Sequence, residues 1–484
     1  MKNENNSIKQ KVMAGAAWKF LERLLSQGAS LIVSLVIARI LSPSDYGVVS
    51  IVNVFIVFAN VLVISGLNTA LIQKKGADQT DYNTVFTVSL LISVVLYIVL
   101  FFAAPLIATI YKQDILVPII RVLSLILPLY ALQSIVCAYV SSTLQFKMFF
   151  FATLGGTLVS AVVGILMALS GFGAWALVAQ QLTNIVINTL VLFSITKLRL
   201  SFCIAFDRLK TLMGYGVRIM ISSLLGVTVN QLNPLFIGFK YTTADLSFYT
   251  KGRSLPETLS SSMTYTISSV LFPALAKYQD DKSKLLNCTR LYMRVASFIV
   301  FPVMLGFFAV SENFVLAFLT EKWLPAVYYI QVVCIATMFD VVAVGNCETI
   351  KAMGRSDVFL KIEIAKKTGY FVTLVLFLIF TNTPQALAVS LLVCTIIQVV
   401  INSIPNVKLI DYKIKSQLSD ILPNLLTSIV MCFAVFCLGR LSYSPTLLLV
   451  LQILVGGLIY VILAIIFRNP SLRYIVDMVK KRND

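Results

Sequence analysis

Three charges sit where lipid is expected. In "AAWKFLERLLSQGAS", residues 16–30, Lys19, Glu22 and Arg23 fall within about one turn of an otherwise apolar run. Lys19 and Arg23 are four residues apart, so they share a helix face. Arg218 stands inside "YGVRIMISSLL", and Lys251, Arg253 and Glu257 follow in "YTKGRSLPETL". Arg253 and Glu257 are again four apart, and Pro256 is expected to bend the helix between them. A charge at the middle of a bilayer costs at least about 2.5 kcal/mol, so such residues normally face protein or water. Guanidinium groups bind phosphates through paired hydrogen bonds and ammonium groups bind them as point charges. Lys19, Arg23 and Arg218 at one depth, with Lys251 and Arg253 at another, would form a basic path for an anion. Plainer readings stand beside this one. The first cluster can be the interfacial start of a helix whose charges snorkel. Lys19–Glu22 and Arg253–Glu257 can be structural pairs, and Arg218 can reach the interface.

Two acids and a polar patch complete the candidates. Asp340 lies near the middle of "CIATMFDVVAVGNCETIKAM", with Glu348 two turns further on. An isolated buried carboxylate can carry a proton, so Asp340 could couple the chain to protons or sodium. It could equally be a hydrogen-bonding residue of the bundle, with Glu348 paired to Lys351. Asn230, Gln231 and Asn233, followed by Pro234, could line a path for polar groups or bond one helix to another. Pro128, Pro234, Pro256 and Pro302 mark expected kinks.

The elements that carry these residues follow from composition. Of 484 residues, 58% are hydrophobic and 12% charged, which cannot make the polar skin of a soluble protein of this size. The apolar runs are 20 residues or longer, the length that crosses a core about 30 Å thick as a helix. They do not alternate, which excludes a β-barrel. The fold class is therefore all-α and integral to the membrane. Fourteen spans are expected, near 14–40, 46–72, 84–110, 116–142, 148–170, 173–196, 211–238, 244–273, 288–311, 324–352, 359–381, 384–408, 419–440 and 445–467. The start "MKNENNSIKQK" is polar and no small-residue cleavage site follows the first apolar run, so that span is expected to be kept.

Most of the 39 lysines and arginines fall in the two tails and in every second loop. Positive loops stay in the cytoplasm, so both termini are expected there. The net charge of +18 is then mostly topology. The basic residues are scattered over short loops, which suits anionic inner-leaflet lipid and disfavours nucleic acid. The eight cysteines include no C-x-x-C, and the chain has no histidine, so no metal or other cofactor is expected. With no nucleotide loop and no sizeable soluble segment, an enzyme is not expected either.

A weak internal repeat organises the spans. "LSPSDYGVV" at 41–49 aligns with "YTTADLSFY" at 241–249, which sets Asp45 against Asp245 at an offset of 200. The same offset sets Asp81 against Asp281, and Pro118 matches Pro325 further on. Residues 1–200 would form one six-helix lobe and 201–411 another of the same orientation, with 412–484 holding spans 13 and 14 and a basic tail.

"ARILSPSDYG" (38–47), "ALIQKK" (70–75), "GFGAWALVAQQL" (171–182), "VLFPALAKYQDD" (270–281), "EKWLPAVYYIQVVC" (321–334) and "KAMGRSDVFLKIEIAKK" (351–367) resemble the polysaccharide flippase family. This is the Wzx-type, lipopolysaccharide and exopolysaccharide exporter branch of the multidrug/oligosaccharidyl-lipid/polysaccharide superfamily. The resemblance runs from about residue 10 to about 410. It implies two six-helix lobes in a V-shaped, MATE-like arrangement around a central cavity, with two extra C-terminal helices. It implies that a polyprenyl-pyrophosphate-linked oligosaccharide is moved from the inner to the outer leaflet of a bacterial plasma membrane. A polysaccharide polymerase complex is the partner it suggests. A multidrug exporter of the same superfamily, coupled to sodium or protons, is the alternative. Such a pump should favour acids in its first lobe, whereas span 1 carries a net positive cluster. A non-transporting scaffold within a polysaccharide assembly complex is the third reading.

Overall fold

The computed structural model describes residues 25–474 except 65, 75, 144, 197, 199 and 280, together with residues 18, 22 and 23. The described residues are helical with no strand. Contacts divide the chain into two compact units, Met1–Ser247 and Phe248–Asp484.

The first unit holds α1 (Leu25–Ile40), α2 (Pro43–Ile64), α3 (Leu67–Gln73), α4 (Gln79–Tyr111), α5 (Leu116–Leu123), α6 (Ile126–Ser142), α7 (Lys147–Leu169), α8 (Ala174–Thr196) and α9 (Phe206–Lys240). The helix α10 (Thr243–Lys277) begins here and continues into the second unit. The second unit adds α11 (Lys282–Phe318), α12 (Pro325–Met338), α13 (Asp340–Ala352), α14 (Ser356–Phe380), α15 (Pro384–Leu409), α16 (Ile414–Leu438) and α17 (Pro445–Ile466).

By length and composition, eleven described segments can cross a membrane. The described parts of expected spans 1, 8 and 11 are helical, but α1 is short, and α10 and α14 do not qualify. The reasons differ: α14 carries Lys361, Glu363, Lys366 and Lys367, whereas α10, beyond Lys251, Arg253 and Glu257, is rich in Ser and Thr over residues 258–269. The count of fourteen is thus not confirmed. Three expected spans are also broken into pairs, α2 with α3, α5 with α6, and α12 with α13 at Phe339.

The helix starts explain the repeat. Ser42 donates its amide and hydroxyl to Asp45 Oδ2 at 3.1 and 2.6 Å, and the Asp45 amide donates to Ser42 Oγ at 3.2 Å. Thr242 and Asp245 make the same three bonds at 3.1, 2.7 and 3.1 Å. Each is a reciprocal cap that satisfies amides the helix leaves unpaired. Asp78 caps α4 by accepting from the Asp81 amide at 3.0 Å, and Asp281 caps α11 by accepting from the Lys284 amide at 3.0 Å. In cap position Asp281 therefore matches Asp78, so the offset drifts by three residues here.

Glycines set the closest helix contacts. A Cβ on Gly47 of α2 would lie 1.8 Å from the Thr243 carbonyl oxygen, and one on Gly66 would lie 2.8 Å from that of Gly216 on α9. Small residues let backbones approach in this way where lipid offers no hydrophobic drive between helices. The connector to α9 is strapped along α4. The Ser201, Cys203 and Ala205 amides donate to Asn83 Oδ1, Thr87 Oγ1 and Thr84 Oγ1 at 3.1, 3.1 and 3.2 Å. Helices α16 and α17 pack on α11, and Tyr460 of α17 donates to the Phe298 carbonyl at 2.9 Å. An apolar groove of about 420 Å³ lies here, lined by residues that include Pro302, Gly306, Met431, Leu449 and Gly456.

Candidate functional site

In the second unit the expected residues of α10 gather with others. Arg253 donates from Nε to Glu257 Oε1 at 2.6 Å and from one Nη to the Tyr249 hydroxyl at 3.4 Å. The Tyr249 ring is buried and packs edge-on to Tyr329 of α12 at 5.8 Å. Gly252 allows this approach, since a Cβ there would lie 2.9 Å from the Ala326 carbonyl oxygen. Lys251 is 6% exposed. Asp340 opens α13 directly after the break at Phe339, within electrostatic reach of Glu257 and of Lys366 on α14. Lys366 itself pairs with Glu363. Tyr370 on the same helix lies within electrostatic reach of Arg253. The cluster thus sets Arg253 and Lys366 against Glu257, Asp340 and Glu363. Its guanidinium is held by an acid and oriented by a phenol, and Glu257 keeps 43% of its side chain exposed. Glu348 lies apart from this pairing, bound to Lys351 Nζ at 3.0 Å.

In the first unit, Trp18 packs on Phe150 and Phe151 of α7 with ring centroids 5.4 and 6.5 Å apart. Glu22 accepts from the Thr153 hydroxyl at 3.3 Å, and Arg23 is half-buried. This end of the first span is seated on a helix. Lys19 lies outside the described residues. Arg218 and Asn230 are exposed on α9, Gln231 is half-buried, and Asn233 is buried. Neither amide atom of Asn233 has a hydrogen-bond partner.

A second charge cluster fastens α9 to α4. Lys74 meets Asp81 at 2.6 Å, and Arg208 meets Asp78 at 2.6 Å and Asp81 at 3.3 Å. The Arg208 guanidinium holds the Asp78 carboxyl below the usual carboxylate range. Beyond α13, Arg355 holds Asp357 low in the same way.

A further polar network is one the sequence motifs do not announce. Asp420 of α16, its side chain buried, accepts from Arg290 Nε at 2.8 Å and Nη2 at 3.1 Å. It also accepts from Arg294 Nε at 2.7 Å and from the Tyr412 hydroxyl at 2.9 Å. Beside it, Asn346 donates to Gln417 at 3.0 Å and accepts from Asn406 at 2.7 Å. The only local hint is the four-residue spacing of Arg290 and Arg294. Among the described residues, no group of three His, Cys, Asp or Glu could hold a metal ion.

Comparison with known proteins gives this bundle a class. The lipid II flippase MurJ, solved in an inward closed conformation, matches with a TM-score of 0.70 at 17% identity, over 94% of this chain and 99% of that one. The fold is therefore an all-helical, multi-pass membrane bundle of the kind that MurJ adopts. The polysaccharide biosynthesis protein family matches residues 36–328, more than half of the sequence, and the chain belongs to that family. A membrane protein of the cps region of Klebsiella pneumoniae is 24% identical, over 96% of this chain and 97% of that one. The succinoglycan biosynthesis transport protein ExoT of Rhizobium meliloti is 22% identical over 64% of this chain and 63% of its own length.

Proposed function

We propose that the chain is a flippase that moves a polyprenyl-pyrophosphate-linked oligosaccharide across the membrane for surface polysaccharide synthesis. The observation that carries this reading is the family match over residues 36–328 on a chain built of apolar helices. A relative named as a transport protein and a fold shared with the lipid II flippase MurJ support it. Because the substrate's sugars and pyrophosphate are polar and its tail is not, the chain must offer the head group a route shielded from lipid. Residues 1–200 and 201–411 would be the two lobes that rock to expose that route to either side, with 412–484 attached to the second. Lys19, Arg23, Arg218, Lys251 and Arg253 would receive the pyrophosphate in turn. A guanidinium already held by Glu257 is oriented in advance, so less rotamer freedom is lost when phosphate arrives. Asn230, Gln231 and Asn233 would meet the sugars, and Asp340 with Glu257 would balance charge as the anion leaves.

The excess of basic residues in the tails and alternate loops supports a cytoplasmic location for both termini, in a bacterial plasma membrane. A polymerase that consumes the flipped units is the expected partner. The protein acts as a transporter and makes or breaks no covalent bond.

Complementation tests the reading. Deleting the gene should remove surface polysaccharide and accumulate lipid-linked repeat units on the cytoplasmic face. Wild type should restore polymer. Arg23→Ala, Arg218→Ala and Arg253→Ala, each confirmed at normal membrane level, should restore less than a tenth. Full polymer from all three would remove the cations from the mechanism. No accumulated repeat units in the deletion strain would remove the flippase reading itself.

A further inference from the structure

Asp420 is outnumbered. One buried carboxylate faces two guanidiniums, which leaves about one positive charge uncompensated at the junction of α11 and α16. Both arginines turn the same edge inward: Nε and Nη2 of each meet the aspartate. The outer edges, carrying Nη1, face away from it, and the side chains stay 35% and 38% exposed. Their four-residue spacing puts both on one face of α11. The C-terminal segment closes on the same place. Ser471 donates to the Arg294 carbonyl at 3.1 Å, and Asn469 donates to Asn424 at 2.7 Å. That anchors a turn whose neighbours Arg468 and Arg473 are exposed.

The depth fits a head group. At 37 residues, α11 is about 55 Å long against a hydrocarbon core of about 30 Å. Centred in the bilayer, it overhangs by about 12 Å at each end, which is the rise from Lys282 to Arg290. Arg290 then stands at the edge of the hydrocarbon core, from which its long side chain reaches the lipid phosphates, with Arg294 one turn deeper.

We propose that Arg290 and Arg294, fixed by Asp420 and Tyr412, form a phosphate-binding site that an anionic phospholipid head group occupies. Asp420 orients the two forks, and the outer N–H groups bind the phosphate oxygens by charge-assisted hydrogen bonds. Arg468 and Arg473 add attraction for an anionic surface. That the leaflet is the inner one rests on the charge-based orientation above. The binding itself does not, and neither does it depend on the transport reading.

The test uses purified full-length protein in neutral detergent. Its melting temperature is followed while phosphatidylglycerol, phosphatidylcholine or inorganic phosphate is titrated. Phosphatidylglycerol should raise it saturably, phosphatidylcholine should not, and inorganic phosphate should act only at much higher concentration. The variant Arg290→Gln/Arg294→Gln/Asp420→Asn keeps hydrogen-bonding shapes and removes all three charges. It should need about tenfold or more phosphatidylglycerol for half the shift. Arg290→Lys/Arg294→Lys keeps the charges without the planar fork and should also bind more weakly, which covers the case where the triple variant does not fold. Equal responses to the two lipids, a response to inorganic phosphate alone, or wild-type midpoints in the folded variants would overturn the proposal.

Discussion

Asp420 has no charged neighbour within four residues of chain, yet in space two guanidiniums and a phenol converge on it. Removing a carboxylate from such a cluster strands the cations. Asp420→Ala should destabilise the protein by about 3 kcal/mol, read from thermal unfolding in detergent. A shift within error would mean that the arginines find water as readily as they find the aspartate. At the end of α4 the balance is pH-dependent. Arg208 holds Asp78 low, so the stabilisation from that pair stands above the ordinary carboxylate range and fades as pH falls through the lowered value. Arg208→Ala should be less stable at neutral pH and should lose less stability as pH falls, so that the gap between variant and wild type closes in strong acid. Parallel melting curves across the whole pH range would contradict the pair's role.

The helices show which parts of the architecture a sequence discloses. Long apolar runs were readable because a bilayer demands about 20 of them in succession. The caps Ser42–Asp45 and Thr242–Asp245 explain why a repeat of only two or three identities per segment held its spacing: both copies keep the residues that start a helix. The breaks after α5 and at Phe339 carry no proline or glycine at the break itself, so nothing local marks them. The Arg253–Glu257 pair was legible from its spacing alone, and the structure places Asp340 within reach of that acid. Lys366 was not, because nothing in the sequence around it says that α14 comes within reach of Asp340. The Asp420 network was not legible either, since its partners lie 130 and 126 residues away. Packing of α2 makes a sharp prediction. A side chain on Gly47 meets main-chain atoms of Thr243, which cannot swing aside. Gly47→Ala should cost about 1–3 kcal/mol of stability and lower transport at equal membrane level. Normal polymer and an unchanged melting temperature would show that the two backbones separate freely.

At the scale of the molecule, a family of polysaccharide biosynthesis proteins and the fold of MurJ meet in one chain of apolar helices. Among the described residues, three charge clusters tie the helices together: the α10 cluster, the α4–α9 charges and the arginines on Asp420. Each joins elements that are distant in sequence. The strap over α4 belongs to the same pattern and has a kinetic consequence. Three backbone amides of residues 201–205 are held by the side chains of Asn83, Thr84 and Thr87. At about 1 kcal/mol each, lifting the strap costs about 3 kcal/mol, so it is detached in less than about 1% of molecules at any moment. A slack rope between α8 and α9 would let α9 drift without consequence. A fastened one behaves as a ratchet pawl: α9 either drags α4 with it or waits for a rare release. Deuterium uptake at Ser201, Cys203 and Ala205 should accordingly be slowed about 100-fold against an open loop, and Thr84→Val with Thr87→Val, which leaves only the Asn83 bond, should cut that delay to about fivefold. Free uptake in the wild type would leave the connector a rope after all.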